Sequence, residues 1–181
     1  MILIISLLVI TLIIIILFSF PQLSPVPYFP TNKKDLPLIV KALGLKNNQT
    51  VLDLGAGDGI VIFEAAKKAY KRKLNTKFVA VEINPVLILI MNIRYLFHPN
   101  RKNIKIVFGD IFKMNYKKLL TSNFSLLTFY LYISPWFLER VIPNLKFKIS
   151  NFSIVSYMYP VKSLKSKEKI ICGKNKIFVY N

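Results

Sequence analysis

The sequence predicts an α/β fold: a doubly wound, mostly parallel seven-stranded sheet with a C-terminal antiparallel hairpin, preceded by one N-terminal transmembrane helix. Three observations predict it. Short apolar runs alternate with helical segments across short loops from Thr50 onward, the pattern of a parallel sheet covered on both faces. The stretch DLGAGDG, Asp53 to Gly59, sets three glycines two residues apart at the end of the first run. Finally, MILIISLLVITLIIIILFSF, Met1 to Phe20, carries no charge at all.

Taken in order, Met1–Phe20 is long enough as a helix to cover roughly 30 Å, one hydrocarbon core. A cleaved signal peptide is the competing reading. It wants a basic start, a shorter apolar stretch and small residues at a cleavage site, and SFPQLSP offers none clearly. Four of the ten prolines fall between Pro21 and Pro30, so residues 21–32 read as a stiff extended linker. The remaining 33–181 form one domain with no internal repeat. Lys33–Leu43 reads as a short amphipathic helix with Pro37 in its first turn and Gly44 as its stop. Strands follow at Thr50–Leu54, Lys77–Glu82, Ile104–Phe108, Ser125–Tyr132 and Phe152–Tyr157. Helices between them are expected at Asp58–Tyr70, Pro85–Phe97 and Pro135–Leu145, with a short helix or loop at Lys113–Leu120. Lys169–Cys172 and Lys176–Tyr180, around Gly173-Lys174-Asn175, make the closing hairpin.

Charge narrows the setting. The chain has 26 Lys and Arg against 8 Asp and Glu, a net +18, and its first charged residue is Lys33. All of that charge therefore lies in the domain. The positive-inside bias puts the domain in the cytoplasm, or on the matrix side of an organelle, with single-pass membrane attachment. An anionic lipid surface would attract it by about 1 kcal/mol per cation. A nucleic-acid partner is the second reading of the same charge. Lys67, Lys68, Lys71, Arg72 and Lys73 end a helix, where they suit its dipole and form a solvated face or a headgroup contact. The single cysteine, Cys172, excludes an internal disulfide and fits a reducing compartment. The single histidine, His98, has no cysteine or histidine near it in sequence, so no metal is expected. Trp136 is expected to pack at the start of its helix, with contact to lipid beside the anchor as the alternative.

In an open parallel sheet, ligands bind beyond the carboxyl ends of the strands. Asp53 ends the first strand and Asp58 sits in the glycine loop that follows; Glu82 ends the second strand; Asp110 follows Gly109 at the end of the third. Four of eight acids thus gather at one edge of a very basic chain. Glycines Gly55, Gly57 and Gly59 let a ligand touch backbone. The spacing is G-x-G-x-G rather than the G-x-G-x-x-G of a dinucleotide site. Two carboxylates would repel a pyrophosphate by a few kcal/mol. A ligand with an ammonium, a positive sulfur, a ribose and an adenine fits instead, and that ligand is S-adenosylmethionine. Glu82 would accept from the ribose hydroxyls and Asp110 from the adenine amino group.

The pattern DLGAGDG, VAVEINP and IVFGDIF resembles class I S-adenosylmethionine-dependent methyltransferases over Tyr28 to Asn181. More narrowly, PYFPT, LLTFYLY, IVSYMYP and the terminal IFVYN resemble a family of small protein-lysine methyltransferases. Its members include archaeal broad-specificity enzymes and membrane-anchored mitochondrial ones. The resemblance implies a Rossmann-like fold, the cofactor S-adenosylmethionine, and cofactor contacts from Ala56, Ile83 and Ile111 beside the acids and glycines. It implies a protein lysine as substrate. Tyr28, Thr128, Tyr130, Tyr132, Tyr157 and Tyr159 are expected on the methyl-acceptor side, where aromatic faces hold an amine. The fourth strand lacks the N-P-P-Y type sequence of enzymes acting on base or amide nitrogen, which argues against those substrates. An RNA methyltransferase and a non-catalytic S-adenosylmethionine-binding membrane protein are the alternatives.

Overall fold

The computed structural model describes residues 1–19, 28–116, 126–146 and 152–181. Its helices are α1 (Ile2–Ser19), α2 (Leu36–Ala42), α3 (Ile60–Lys71), α4 (Pro85–Leu96) and α5 (Pro135–Lys146). Its strands are β1 (Gln49–Leu54), β2 (Lys77–Glu82), β3 (Ile104–Phe108), β4 (Leu126–Leu131), β5 (Phe152–Tyr157), β6 (Glu168–Cys172) and β7 (Lys176–Tyr180). They form one seven-stranded sheet in the order β3-β2-β1-β4-β5-β7-β6. β1 to β5 run parallel, while β7 is antiparallel to both β5 and β6. The expected hairpin is therefore present, and its second strand docks inward while its first forms the edge. The chain winds outward from β1 to β3, then returns to start β4 on the other side of β1. That reversal is the switch point at which α/β sheets bind ligands.

Two apolar layers cover the sheet. One packs α2, α3 and α4 through Ile39, Val61, Ile62, Ala65, Ala69 and Met91. The other packs α5 through Leu138, Val141, Ile142 and Leu145. The helical period places Val61, Ile62, Ala65, Ala66 and Ala69 of α3 inward and Glu64, Lys67, Lys68 and Lys71 outward. The lysine cluster thus faces outward. α3 starts two residues later than expected, because Gly59 at its N-cap has a left-handed φ of 75°. Trp136 does not pack at the start of α5 as expected; it is 83% exposed. Half of the Lys113–Leu120 expectation, residues 117–120, lies outside the described residues, as does Ser125.

α1 covers 18 residues, about 27 Å of helix, against the roughly 30 Å of a hydrocarbon core. Among the described residues no helix is long and apolar enough to cross a membrane, so the expected transmembrane span is corrected to a shorter apolar helix. Every large apolar side chain described on it is exposed, from Met1 to Ile15, and it approaches α4.

Candidate active site

The carboxyl edge of β1, β2, β3 and β4 opens into a partly enclosed cleft. Tyr28, Asp53, Gly55, Ala56, Gly57, Asp58, Glu82, Ile83, Asp110, Ile111, Tyr130 and Tyr132 all line it. Gly59 does not; it sits one residue further, where a Cβ would fall 2.7 Å from Phe63 and 2.9 Å from Met91. Its role is to let α3 close against α4 at the foot of the loop.

Asp53 is paired in register with Ala80 on β2 and Tyr130 on β4, so it lies in the middle of the sheet. It is 2% exposed, and its Oδ1 has no hydrogen-bond partner. Burial, then the neighbouring charges of Glu82 and Asp58, push its carboxyl well above the usual range. A buried carboxylate left short of partners is costly, and a cation in the cleft removes that cost. Orphaned oxygen and raised pKa both fit the ammonium of an amino acid.

Glu82 is held by backbone. Its Oε2 accepts from Gly57 N–H at 2.8 Å; its Oε1 accepts from Ile83 N–H at 2.8 Å and Asn84 N–H at 2.9 Å. A carboxylate offers about four lone-pair sites, so one remains, on Oε2. The expectation that Glu82 accepts from both ribose hydroxyls is thereby narrowed to one. Asn84 then caps α4, its Oδ1 accepting from Val86 N–H at 2.9 Å. At β3's end, Asp110 Oδ1 accepts from Phe112 N–H at 2.8 Å. Its Oδ2 is only loosely opposed by Lys113, 4.0 Å away, and stays available to a ligand donor.

Asp58 is already engaged. Its Oδ2 lies 2.9 Å from the Arg94 guanidinium of α4, which also donates to the Asp58 carbonyl at 2.7 Å. Its Oδ1 accepts from Ile60 N–H at 3.2 Å. Asp58 therefore ties the glycine loop to α4. The segment before α2 covers the loop: a Cβ on Gly57 (φ 59°) would sit 2.8 Å from the Tyr28 ring. Burial and then Asp58, which also takes a hydrogen bond from it, raise the Tyr28 pKa.

On the acceptor side, Tyr130 is 2% exposed, and its hydroxyl stands beside Thr31, short of a hydrogen bond, with no partner. Burial and then Asp53 push its pKa well up, so it stays a neutral phenol. Tyr132 lines the cleft beside it; its hydroxyl contacts Met158 Sδ at 3.2 Å, and its ring meets Tyr157 edge-on at 4.8 Å.

Three expected acceptor residues lie elsewhere. Thr128 is two residues deeper in β4, buried in the sheet, and its hydroxyl bonds Gln49 Nε2 and Ser153 Oγ, each at 2.8 Å. Tyr157 stands behind Tyr132 and donates to Asp35 Oδ2 at 2.7 Å. Tyr159 follows Met158, whose left-handed φ of 67° turns the chain, and packs in the α5 layer. The sequence reading also passed over several lining residues, among them Phe29, Thr31 and Phe112. The segment PYFPT does carry a signal for Phe29, because a residue before proline is held extended. Asp35 carried none. It accepts from Lys174 N–H, Asn175 N–H, the Asn175 side chain and Tyr157, and so clamps the start of α2 to the tip of the β6–β7 hairpin.

This sheet order, the glycine turn and the edge acids define a class I methyltransferase whose cofactor is S-adenosylmethionine. The family model described as ribosomal RNA adenine dimethylase matches residues 28–158. The chain belongs to that family, although β4 lacks the N-P-P-Y type sequence. It is similar to a probable ribosomal RNA small subunit methyltransferase A of Methanosphaera stadtmanae, 24% identical over 127 residues. That match covers 68% of this chain but only 37% of the relative's length. It is also similar to an ATP synthase lysine N-methyltransferase of Caenorhabditis elegans, 22% identical over 164 residues, covering 86% of this chain and 80% of that one. Among solved structures, an RNA methyltransferase of Salinibacter ruber bound to S-adenosyl-L-homocysteine shares the fold, with a TM-score of 0.65 at 18% identity. It covers 84% of this chain and 92% of that one.

Proposed function

We propose that this chain is a membrane-tethered methyltransferase that transfers methyl to a lysine side chain of a protein, with α1 as the tether. The observation that carries the substrate is the acceptor side of the cleft: Tyr28, Phe29, Tyr130 and Tyr132 offer rings and phenols, and no carboxamide lines it among the described residues. Aromatic faces attract an ammonium, and the unpartnered Tyr130 hydroxyl can accept from an amine N–H. The lysine methyltransferase relative supports this reading, because its similarity extends over most of both chains. The tether is supported by an exposed helix that is apolar on every side, which water does not favour.

When bound, S-adenosylmethionine supplies an electrophilic methyl group on a positive sulfur. Asp53 would hold its ammonium, Glu82 one ribose hydroxyl and Asp110 the adenine amino group. The protein's work is then alignment and dehydration. The Tyr28–Thr31 segment closes over the glycine loop and excludes water, while Tyr130 and Tyr132 orient the incoming amine. A lysine must first lose its proton, which costs about 4.6 kcal/mol at pH 7 from a pKa near 10.4. The dry cleft and the +18 net charge both lower an amine's pKa.

The second reading is methylation of RNA, favoured by the family match and by the charge. To separate the two, the full chain in detergent is incubated with methyl-labelled S-adenosylmethionine and membrane, ribosome or RNA fractions of its host. Label in protein that disappears when lysines are blocked supports the proposal. Label in RNA supports the second reading. Cofactor binding with no label anywhere supports the non-catalytic alternative.

A further inference from the structure

α4 presents an apolar stripe that is left exposed among the described residues. Leu89, Ile93, Leu96 and Phe97 recur at helical spacing and are 60%, 53%, 58% and 86% exposed. Two grooves rich in cations lie at the C-terminal end of the stripe, where Pro99 lines both. Phe97 shares the wall of the first with Lys33, Lys67 and Arg94. Lys71, Lys73 and Lys102 line the second, with the exposed ring of Tyr70 among them. The acids in these walls are Glu64 and Asp58; Asp58 pairs with Arg94, so those two charges offset and the lysines carry the excess. The apolar helix α1 approaches this same α4.

We propose that this face seats on an anionic bilayer, the α4 stripe entering the headgroup–acyl boundary and the flanking lysines meeting lipid phosphates. The proposal rests on the reading of α1 as a membrane tether and adds the surface and orientation that go with it. Protruding apolar side chains in a basic rim are the chemistry of interfacial binding. An RNA strand would satisfy the cations and leave Leu89, Ile93 and Leu96 in water. Seating α4 also sets the cleft's position, since Arg94 bonds the glycine loop directly. The mouth would then lie beside the membrane, facing lysines of proteins embedded in it.

The test uses the full chain reconstituted into vesicles, with Trp136→Phe removing the one native tryptophan. Phe97→Trp reports the proposed surface, and Ile170→Trp on β6, at the far edge of the sheet, is the control. With anionic lipids brominated high on the acyl chain, the Phe97→Trp protein should lose about half its emission, as expected for insertion of 5–10 Å. The Ile170→Trp protein should keep nearly all of it. Neutral lipid, or Lys67→Glu with Lys71→Glu and Lys102→Glu, should abolish the quenching while S-adenosylmethionine affinity is unchanged, which shows that the fold persists. If the chain floats with vesicles and Phe97→Trp is not quenched, the surface is refuted and the tether stands. A chain that does not float refutes both. Emission that responds to ribosomal RNA and not to brominated lipid reassigns the face to nucleic acid and overturns the proposal.

Discussion

Replacing Glu82 with alanine should damage two things at once, and the structure says how much of each. The carboxylate accepts from three backbone N–H groups, at Gly57, Ile83 and Asn84, in a residue only 6% exposed. Hydrogen bonds to a charged group contribute about 1.5–3 kcal/mol each. Ile83 is half-buried, so water entering the space left by the side chain recovers part of its loss. A net destabilisation of about 3–5 kcal/mol is expected, a large share of a typical domain's 5–15 kcal/mol. The same change frees the Gly57 amide, which loosens the glycine loop, and deletes the oxygen left for a ribose hydroxyl. Urea unfolding measures the first effect. Calorimetry with S-adenosylmethionine, at a temperature where the variant is still folded, measures the second, and affinity should fall at least roughly tenfold, about 1.4 kcal/mol. Undiminished affinity in a folded variant would refute the ribose role; unchanged stability would refute the hydrogen-bond account.

Three further outcomes follow from the geometry. Gly57→Ala places a Cβ 2.8 Å from the Tyr28 ring at a φ of 59°; the left-handed strain of about 1–2 kcal/mol and a displaced Tyr28 should weaken cofactor binding in calorimetry. Thr128→Val should leave cofactor affinity and turnover unchanged. It should lower the melting temperature by about 3–6 °C, because the buried Gln49 amide loses a partner worth about 1–2 kcal/mol. The third concerns His98, whose Nδ1 accepts from Asn100 N–H at 3.1 Å, so its Nε2–H donates to the Phe63 carbonyl at 3.0 Å. Burial holds its pKa below the ordinary 6.5, so the fold prefers the neutral ring. That stability is complete above about pH 6.5 and is lost as pH falls toward the folded value. Chemical unfolding between pH 7 and 5.5 should show the loss, and His98→Gln should flatten it.

Local sequence carried the strands, the glycine turn and the edge acids, because each rests on neighbouring residues. The errors came where distance along an element or across the chain decides. Thr128, Tyr130 and Tyr132 alternate along the expected strand Ser125–Tyr132, so all three looked equivalent, although β4 ends at Leu131. At about 3.3 Å per residue, Thr128 lies some 6–7 Å below Tyr130 and never reaches the edge. Tyr159 was lost to a single left-handed residue, Met158, that turns the chain into the other layer. The Asp58–Arg94 pair joins residues 36 apart, and Asp35 meets the hairpin tip 140 residues later. No local pattern encodes such pairings. The cofactor-side acids were legible for the opposite reason: a chain with eight carboxylates has few to spare, and their positions at strand ends stand out.

The central claim is that the buried edge acids exist to hold a cationic, sugar-bearing cofactor, and Asp53 states it most sharply. Burial, and then the charges of Glu82 and Asp58, push its carboxyl pKa well up; a bound ammonium pulls it back down and expels a proton held there. Titrating S-adenosylmethionine into the full chain in buffers of different ionisation enthalpy counts the protons released. The account predicts a net release of protons on cofactor binding that is lost in Asp53→Asn. Cofactor binding with no proton release, or release undiminished in Asp53→Asn, would contradict it.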